Sequence, residues 1–548
     1  MPARQVNLSK AQLYWETLRH LRPVQFYGRV WFRAVRPKPD LRAAPPLREK
    51  AADWVRPARR RQSLFEGDLF RFLNEEQSLD QHGWDDPALA KLWRYNLHYF
   101  DDLNAEGAEA REAWHRALIE RWIRENPPGQ GSAWEPYPTS LRIVNWLKWV
   151  MQGNKPSAEM LQSLAIQTRW LSGRLEYHLL GNHLFANAKA LVFAGCAFDG
   201  PEAAKWLDRG LRILAREVPE QILPDGGQFE LSPMYHALAV EDMLDLLNLM
   251  RTMGQASPAL WEEKLGSMRT WLKTMCHPDG ELAFFNDAAF GIAPSLAELE
   301  RYAADMGFGV SSGSLPGCTW SRESGYVRLQ NERAVALLDV ARVGPDYLPG
   351  HAHADTLSFE LTVGGLRVIV NSGTSVYGDG SERLRQRGTS AHSTVIIDGL
   401  NSSEVWSGFR VARRAYPQGL TVEEQGDGGW NVSCAHDGYR RLPGKPLHHR
   451  NWNFSNNGLI VSDRVEGTHR HAEAVFHFHP DLTASISEDG KSGVTSKGDE
   501  ILLRWSVKNG AARLGPSTWH PEFGSSIPSQ QLAIELVDGQ STIEFHWA

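Results

Sequence analysis

The segment Thr356-Leu-Ser-Phe-Glu-Leu-Thr-Val-Gly-Gly-Leu-Arg-Val-Ile-Val370 reads as two strands joined at Gly364-Gly365. Its β-branched and aromatic residues suit a pleated surface, and a Gly-Gly pair supplies the positive φ angles of a tight hairpin turn. Working outward, residues 325–330, 334–339, 458–463 and 541–547 are further strand-length runs separated by Gly, Asn and Asp. Toward the N-terminus the pattern changes. Residues 110–123, 140–152, 159–177, 182–196, 202–218, 232–253 and 258–275 carry apolar residues at spacings of three and four, the mark of amphipathic helices. Short loops between such helices suit a bundle, a solenoid or an α/α toroid, and the strand-rich half suits an antiparallel β-sandwich. The expected organisation is therefore α+β and multidomain. An extension (1–85) packs on a helical domain (86–310), and a Ser/Gly-rich linker (309–317) leads to a β-domain (318–548).

At 548 residues the chain exceeds what one hydrophobic core supports, and 42% apolar with 23% charged residues excludes a disordered or membrane-embedded class. The net charge of −6 is unevenly spread: residues 1–61 hold 15 Lys/Arg against 4 Asp/Glu, or +11, leaving −17 on the rest. A basic arm can attract anionic glycan, membrane or nucleic acid, but no nucleic-acid motif accompanies it, and a solvated helical lead-in explains it more simply. Between Met1 and Asp40 charged residues interrupt every apolar run, so no secretory signal or spanning segment is read there. Cytoplasm is the default expectation, with the periplasm as the alternative for a polymer-cleaving enzyme. Cys196, Cys276, Cys318 and Cys434 are widely spaced and read as isolated thiols. The 21 Trp offer faces for sugar stacking, although core filling accounts for most of them.

Three polar clusters carry potential chemistry. Gly181-Asn182-His183 opens an apolar helix, where Asn182 also suits an N-cap. Asp225-Gly-Gly-Gln-Phe-Glu230-Leu-Ser-Pro-Met-Tyr235-His236 is a Gly-rich turn entering a helix at Ser-Pro. Its first turn would hold Tyr235 and His236 in a field that favours an ionised phenol and disfavours imidazolium. His351-Ala-His353-Ala-Asp355 precedes the strand pair, with Asn371 and His392 beyond it. Alternation sets His351, His353 and Asp355 on one face, and His353, Asn371 and His392 are a possible ligand set for Zn²⁺.

Together these clusters resemble the heparinase II/III family of polysaccharide lyases, most closely at residues 181–188, 232–236 and 350–398. Gln25-Phe-Tyr-Gly-Arg-Val-Trp-Phe32, Tyr95-Asn-Leu-His-Tyr-Phe-Asp101 and Trp134-Glu-Pro-Tyr-Pro-Thr-Ser-Leu-Arg-Ile-Val-Asn-Trp146 resemble its branch associated with bacterial surface-polysaccharide gene clusters. The resemblance implies an incomplete α/α toroid followed by an antiparallel β-sandwich, and β-elimination on a uronate-containing glycan. It assigns Asn182 to the uronate carboxylate and His183 to the same task or to the base. Tyr235 becomes the proton donor to the leaving oxygen, and His351 lines the cleft between domains. A second family Tyr matches loosely to Tyr377. His353 and His392 fall on metal ligands of metal-containing members. Asn371 stands where the family commonly has Asp, so it can ligate through its carbonyl oxygen but brings no charge.

The residue types fit that chemistry. The proton α to a carboxylate is too weakly acidic for a side-chain base unless donors such as Asn182 and His183 stabilise the developing enediolate. Trp134 and Arg142 are candidates for sugar faces and carboxylates, and Glu230 and His236 for the substrate site. The implied partner is an anionic polysaccharide, and the pattern specifies no oligomeric state. Two other readings compete. An inverting hydrolase needs two carboxylates, for example Glu135 with Glu230 or Asp287. A non-catalytic glycan-binding or assembly protein would need none of the four candidate catalytic residues.

Overall fold

The computed structural model describes residues 10–311, 316–426 and 428–547. Residues 312–315 of the expected linker and the first nine residues of the arm lie outside the described residues. The chain divides where its periodicity changes. The first part is mainly helical, with Glu112–Glu125, Pro136–Met151, Ala158–Ser172, Gly181–Ala197, Pro201–Gln221, Pro233–Thr252 and Ala259–Thr274 as its main helices. Ala158–Ser172 is shorter than its apolar spacing suggests. Gly173 closes it, and residues 174–180 run as a loop into the next helix.

From Gly317 onward the chain forms two large antiparallel sheets. One places Pro417–Glu424, Trp430–His436, Leu447–Phe454, Gly458–Glu466, Gln540–Trp547, Glu500–Asn509, Ser492–Lys497 and Thr483–Ile486 side by side. The other runs Ala512–Trp519, Ile527–Glu535, Ala472–Phe478, Leu366–Val370, Phe359–Val363, Ala334–Asp339, Tyr326–Gln330 and Gly317–Ser321, with Val395–Ile397 paired to its third strand. Their facing side chains, among them Phe359, Val368, Trp452, Phe476, Trp505 and Phe545, form one apolar core. The Gly364-Gly365 hairpin is present, with φ of 58° and 82°. Its first strand begins only at Phe359, because Leu357 sits at φ 63° and Ser358 N–H turns back to the Asp355 carbonyl.

An apolar seam joins the two domains. Leu231, Trp271, Met275 and Phe285 pack against Tyr326, Val335, Leu337 and Ala341. Tyr326 O–H donates to the Leu231 carbonyl at 2.7 Å, and Trp271 Nε1–H donates to Ser324 Oγ at 2.8 Å. A seam of this kind fixes the relative position of residues that meet across it.

The N-terminal extension reaches further than expected. Its helices Lys10–Leu18 and Pro23–Ala34 touch both domains: Trp406 Nε1–H of the β-domain donates to Thr17 Oγ1, and Arg174 Nη1 of the helical domain donates to the Phe32 carbonyl at 2.7 Å. Farther along, Arg42, Arg48, Arg59, Arg60 and Arg61 pair with Glu202, Asp199, Glu298, Glu241 and Glu522. Much of the basic surplus is thus spent on the acidic remainder of the same chain. Trp93, Trp122, Trp146, Trp261, Trp271, Trp452 and Trp505 are fully buried, so core filling is their role.

Candidate functional site

Three segments converge at the mouth of the seam, and each arrives through a strained residue. Leu180 (φ 63°), Leu231 (φ 61°) and Asn286 (φ 56°) directly precede Gly181, Ser232 and Asp287. A left-handed φ costs a non-glycine residue about 1–2 kcal/mol, which packing elsewhere must offset. Ser232 caps the helix Pro233–Thr252 by accepting from Tyr235 N–H at 3.2 Å, so Tyr235 and His236 stand in its first turn as the Ser-Pro signature requires. Asn182 is not the expected N-cap of its helix. Leu180 holds that position and Asn182 is the second helical residue, half-buried, with no side-chain hydrogen bond among the described residues.

The centre of the arrangement is Asp287. Its carboxylate accepts from His351 Nδ1 at 2.9 Å, from His353 Nε2 at 2.8 Å, and from both terminal nitrogens of Arg383, the second at 2.7 Å. Burial alone would raise its pKa, but Arg383 and the two imidazoles hold it far below the usual carboxylate range. A carboxylate on Nδ1 favours a proton on that nitrogen and turns His351 Nε2 outward. That Nε2 lies 3.6 Å from Glu230 Oε2, and the imidazole is 13% exposed.

Against His351 stands Tyr235, its ring stacked at 3.8 Å between centroids. The Tyr235 and Tyr377 hydroxyls are 3.0 Å apart, so the loosely matched Tyr377 is a neighbour in fact. Burial, then Tyr377 and Asp287, push the Tyr235 phenol well above its ordinary pKa. The helix field therefore loses to desolvation, and the side chain is a phenol at neutral pH rather than the favoured phenolate of the sequence reading. His183 forms the other wall. Its Nδ1 lies 3.2 Å from Glu176 Oε2 and its ring packs on Tyr137 at 4.5 Å. Burial pulls its pKa down, yet Glu176, with Glu230 and Glu135 beyond, holds it above the ordinary value of 6.5. A cation is thereby favoured beside Asn182.

Three expected site residues belong elsewhere. Trp134 is buried between Trp122 and Trp170, with Nε1–H donating to the Asn126 carbonyl. Arg142 is fully buried, donating to Gln167, to the His98 and Ala133 carbonyls, and lying over the Trp122 ring. His236 is fully buried, bonded to Met268 O and Gln228 N–H, and burial lowers its pKa to about 4. None can reach a glycan, because helix packing closes over each. Glu230 is at the site, accepting from Gln228 Nε2 at 3.3 Å beside His351. In the sequence Asp287 stands out only as a candidate hydrolase acid, and nothing there singles out Arg383, Glu176 or Tyr137. No spacing marks them: Arg383 meets Asp287 only across the domain boundary, and Glu176 and Tyr137 flank His183 only once the helices pack.

Comparison with known proteins agrees with this architecture. The model described as "Heparinase II/III N-terminus" matches residues 84–304, and "Heparinase II/III-like, C-terminal" matches residues 315–548. The chain belongs to the heparinase II/III-like family. This heparinase II/III-like chain is 28% identical over 254 residues to a heparin-sulfate lyase of Bacteroides stercoris, covering 42% of this chain and 38% of that one. It is 26% identical over 316 residues to the heparin-sulfate lyase of Pedobacter heparinus, covering 51% and 47%. It thus spans less than half the length of these two lyases. FtsZ-localized protein C of Caulobacter vibrioides matches at 26% over 493 residues, 83% of this chain and 81% of that one. Among solved structures, heparinase III superposes with a TM-score of 0.65 at 19% identity, over 82% of this chain and 77% of that one. A heparan sulfate lyase of Pedobacter heparinus superposes at 0.58 and 19%, over 96% and 88%. These likenesses concern the fold.

The metal set expected of the family member changes composition. Asn371 donates through Nδ2 to the Phe284 carbonyl at 3.0 Å, and its Oδ1 accepts from Ser393 N–H at 3.0 Å. It clamps backbone. The ligand atoms of His353, His392 and Asp355 instead lie within 4.8 Å of one another, all buried. Burial lowers His353 to about 4 and His392 to about 3, so both imidazoles are neutral, the form in which a histidine can ligate a metal. His353 also bonds Asp287 through its other nitrogen, the outer-shell contact that orients a metal-binding histidine. Two imidazoles and a carboxylate suit Zn²⁺.

Proposed function

We propose that this protein is a polysaccharide lyase that cleaves a uronate-containing bacterial surface or extracellular glycan by β-elimination. The observation that carries the reading is the Tyr235–His351 stack, with a phenol held protonated beside an imidazole that Asp287 orients. Asn182 and protonated His183 receive the uronate carboxylate and stabilise the enediolate that forms when the C5 proton leaves. His351 Nε2 removes that proton, and Tyr235 O–H donates to the glycosidic oxygen as the C4–O bond breaks. Tyr377 supports the donor through its hydroxyl contact. When bound, Zn²⁺ at His353, His392 and Asp355 would add fixed positive charge behind this wall. The reading includes closure of the helical domain into an incomplete toroid whose open side receives the glycan.

Two features refine the substrate. Arg383 is committed to Asp287, and the charges felt by His183 are the carboxylates Glu176, Glu230 and Glu135. Such a wall accepts one uronate carboxylate but repels dense sulfation, which favours a lightly charged surface glycan over heparin. It also disfavours hydrolysis, since Asp287, saturated and held ionised, is a poor general acid. A second reading, a non-catalytic glycan-binding or assembly protein, is favoured by one observation: in sequence, FtsZ-localized protein C, whose name describes a location and not a lyase activity, matches over more of both chains than the two heparin-sulfate lyases do. Incubation with a panel of uronate-containing capsules and O-antigens separates the two. Unsaturated, ultraviolet-absorbing uronate ends support the lyase, and binding without new ends supports the alternative.

A further inference from the structure

Large apolar side chains exposed to solvent are concentrated in one region of the molecule. Of fourteen among the described residues, eight lie between Tyr14 and Leu41. The helix Pro23–Ala34 is turned inside out relative to an ordinary surface helix. Its inward side is Gln25, 3% exposed, with Gly28, where an added Cβ would stand 3.1 Å from His178 Cβ, and Phe32, packed at a tilt on the His178 ring at 4.3 Å. Its outward side holds Phe26, Tyr27, Val30 and Trp31, between 46% and 70% exposed. The spacing i, i+1, i+4, i+5 makes these a single face. The preceding helix, Lys10–Leu18, repeats the arrangement with Tyr14, Trp15 and Leu18 outward. Isolated exposed apolar residues need no explanation, but a clustered aromatic face does.

The charges around this face differ from those in the rest of the arm. Arg42, Arg48, Arg59, Arg60 and Arg61 are all paired with carboxylates. Arg29, Arg33 and Arg36 have no carboxylate partner among the described residues. Desolvation, then Arg410 and Arg33 close by, lower the Arg29 pKa, which is what like charges do when no anion stands between them. Among the described residues the face therefore has neither an apolar cover nor an anionic one.

We propose that these two helices form an interfacial anchor that docks the protein on an anionic lipid surface. Phe26, Tyr27, Val30 and Trp31, with Trp15 and Leu18, enter the headgroup boundary, and Arg29, Arg33 and Arg36 meet the lipid phosphates. Aromatic rings favour that boundary, and a cationic flank beside an apolar stripe is the pattern of helices that lie in it. No helix among the described residues is long and apolar enough to cross a membrane, so the contact is peripheral. Through Gly28 and Phe32 the anchor rests on His178, in the loop that leads to Asn182, which sets the glycan site beside the lipid surface.

The test is sedimentation of the full chain with vesicles of phosphatidylcholine alone or of equal parts phosphatidylcholine and phosphatidylglycerol. The expected result is binding to the mixed vesicles only, weakening as salt is raised. Val30→Glu with Trp31→Glu should weaken it at least tenfold, and Arg29→Glu with Arg33→Glu likewise, with melting temperature unchanged because these side chains are exposed. Failure of the wild type to sediment, equal binding to neutral vesicles, or full binding by the Val30/Trp31 variant overturns the proposal. A wild-type dimer that Trp31→Glu dissociates, without vesicle binding, also overturns it and assigns the face to a second copy. Product formation from a soluble glycan by the same variants reports on the lyase reading separately.

Discussion

Asp287 and Asp245 are both fully buried carboxylates shared among cations, yet only Asp287 adjoins the candidate site. Asp245 joins Lys148 and Lys189 inside the helical domain and accepts from Tyr302 O–H at 3.2 Å, and all three partners are buried. Asp287 joins Arg383 and His353, also buried, but its third partner is His351, which reaches the cleft and stacks on Tyr235. Burying an ion pair is by itself neutral to costly for stability. What distinguishes the functional hub is that it orients a half-open titratable group, whereas Asp245 orients only its own surroundings.

The largest expected effect is at the end of the functional chain. Tyr235→Phe removes the proposed proton donor and should lower kcat by about 10²–10⁴ while leaving glycan affinity within error, measured by initial rates and equilibrium binding. Next, Asp287→Asn and Asp245→Asn should each cost about 3–5 kcal/mol by leaving buried cations uncompensated. Only the first should lower kcat in the fraction that remains folded. Equal loss of kcat in both would erase the distinction between the hubs.

A smaller effect is predicted from His183. Its folded pKa lies above 6.5, so its charge, and the stability that Glu176 lends through it, are present below that value and lost as pH rises through the raised one. KM for a uronate glycan should therefore rise across that window. Glu176→Gln should move the rise to lower pH. The smallest effect on activity is expected for Trp134→Phe, which trims a buried ring and should lower the melting temperature without altering KM.

How much of this was legible follows from where each signal resides. Helix and strand periods are local, so the seven main helices and the Gly364-Gly365 hairpin could be read directly. Ser-Pro before Tyr235 is also local, and the helix start it marks is present. Trp134 and Arg142 failed for a physical reason: their residue types suit sugars, but only the packing of neighbouring helices reveals that both are enclosed. Asp287 was the hardest, because Phe285-Asn-Asp-Ala carries no distinctive spacing and its partners lie 64 to 96 positions away. The arm's charge surplus was equally visible, while its division into paired and unpaired arginines required the fold.

The central claim is elimination, and the most direct measurement is the origin of the oxygen in the products. Cleavage of an active uronate glycan in isotopically heavy water, sampled by mass spectrometry before the new reducing ends exchange their anomeric oxygen, should give fragments that carry no solvent oxygen and whose masses sum to that of the parent. The new non-reducing end should be unsaturated. Fragments heavier by one labelled water per break would mean hydrolysis and would contradict the roles assigned to Tyr235 and His351.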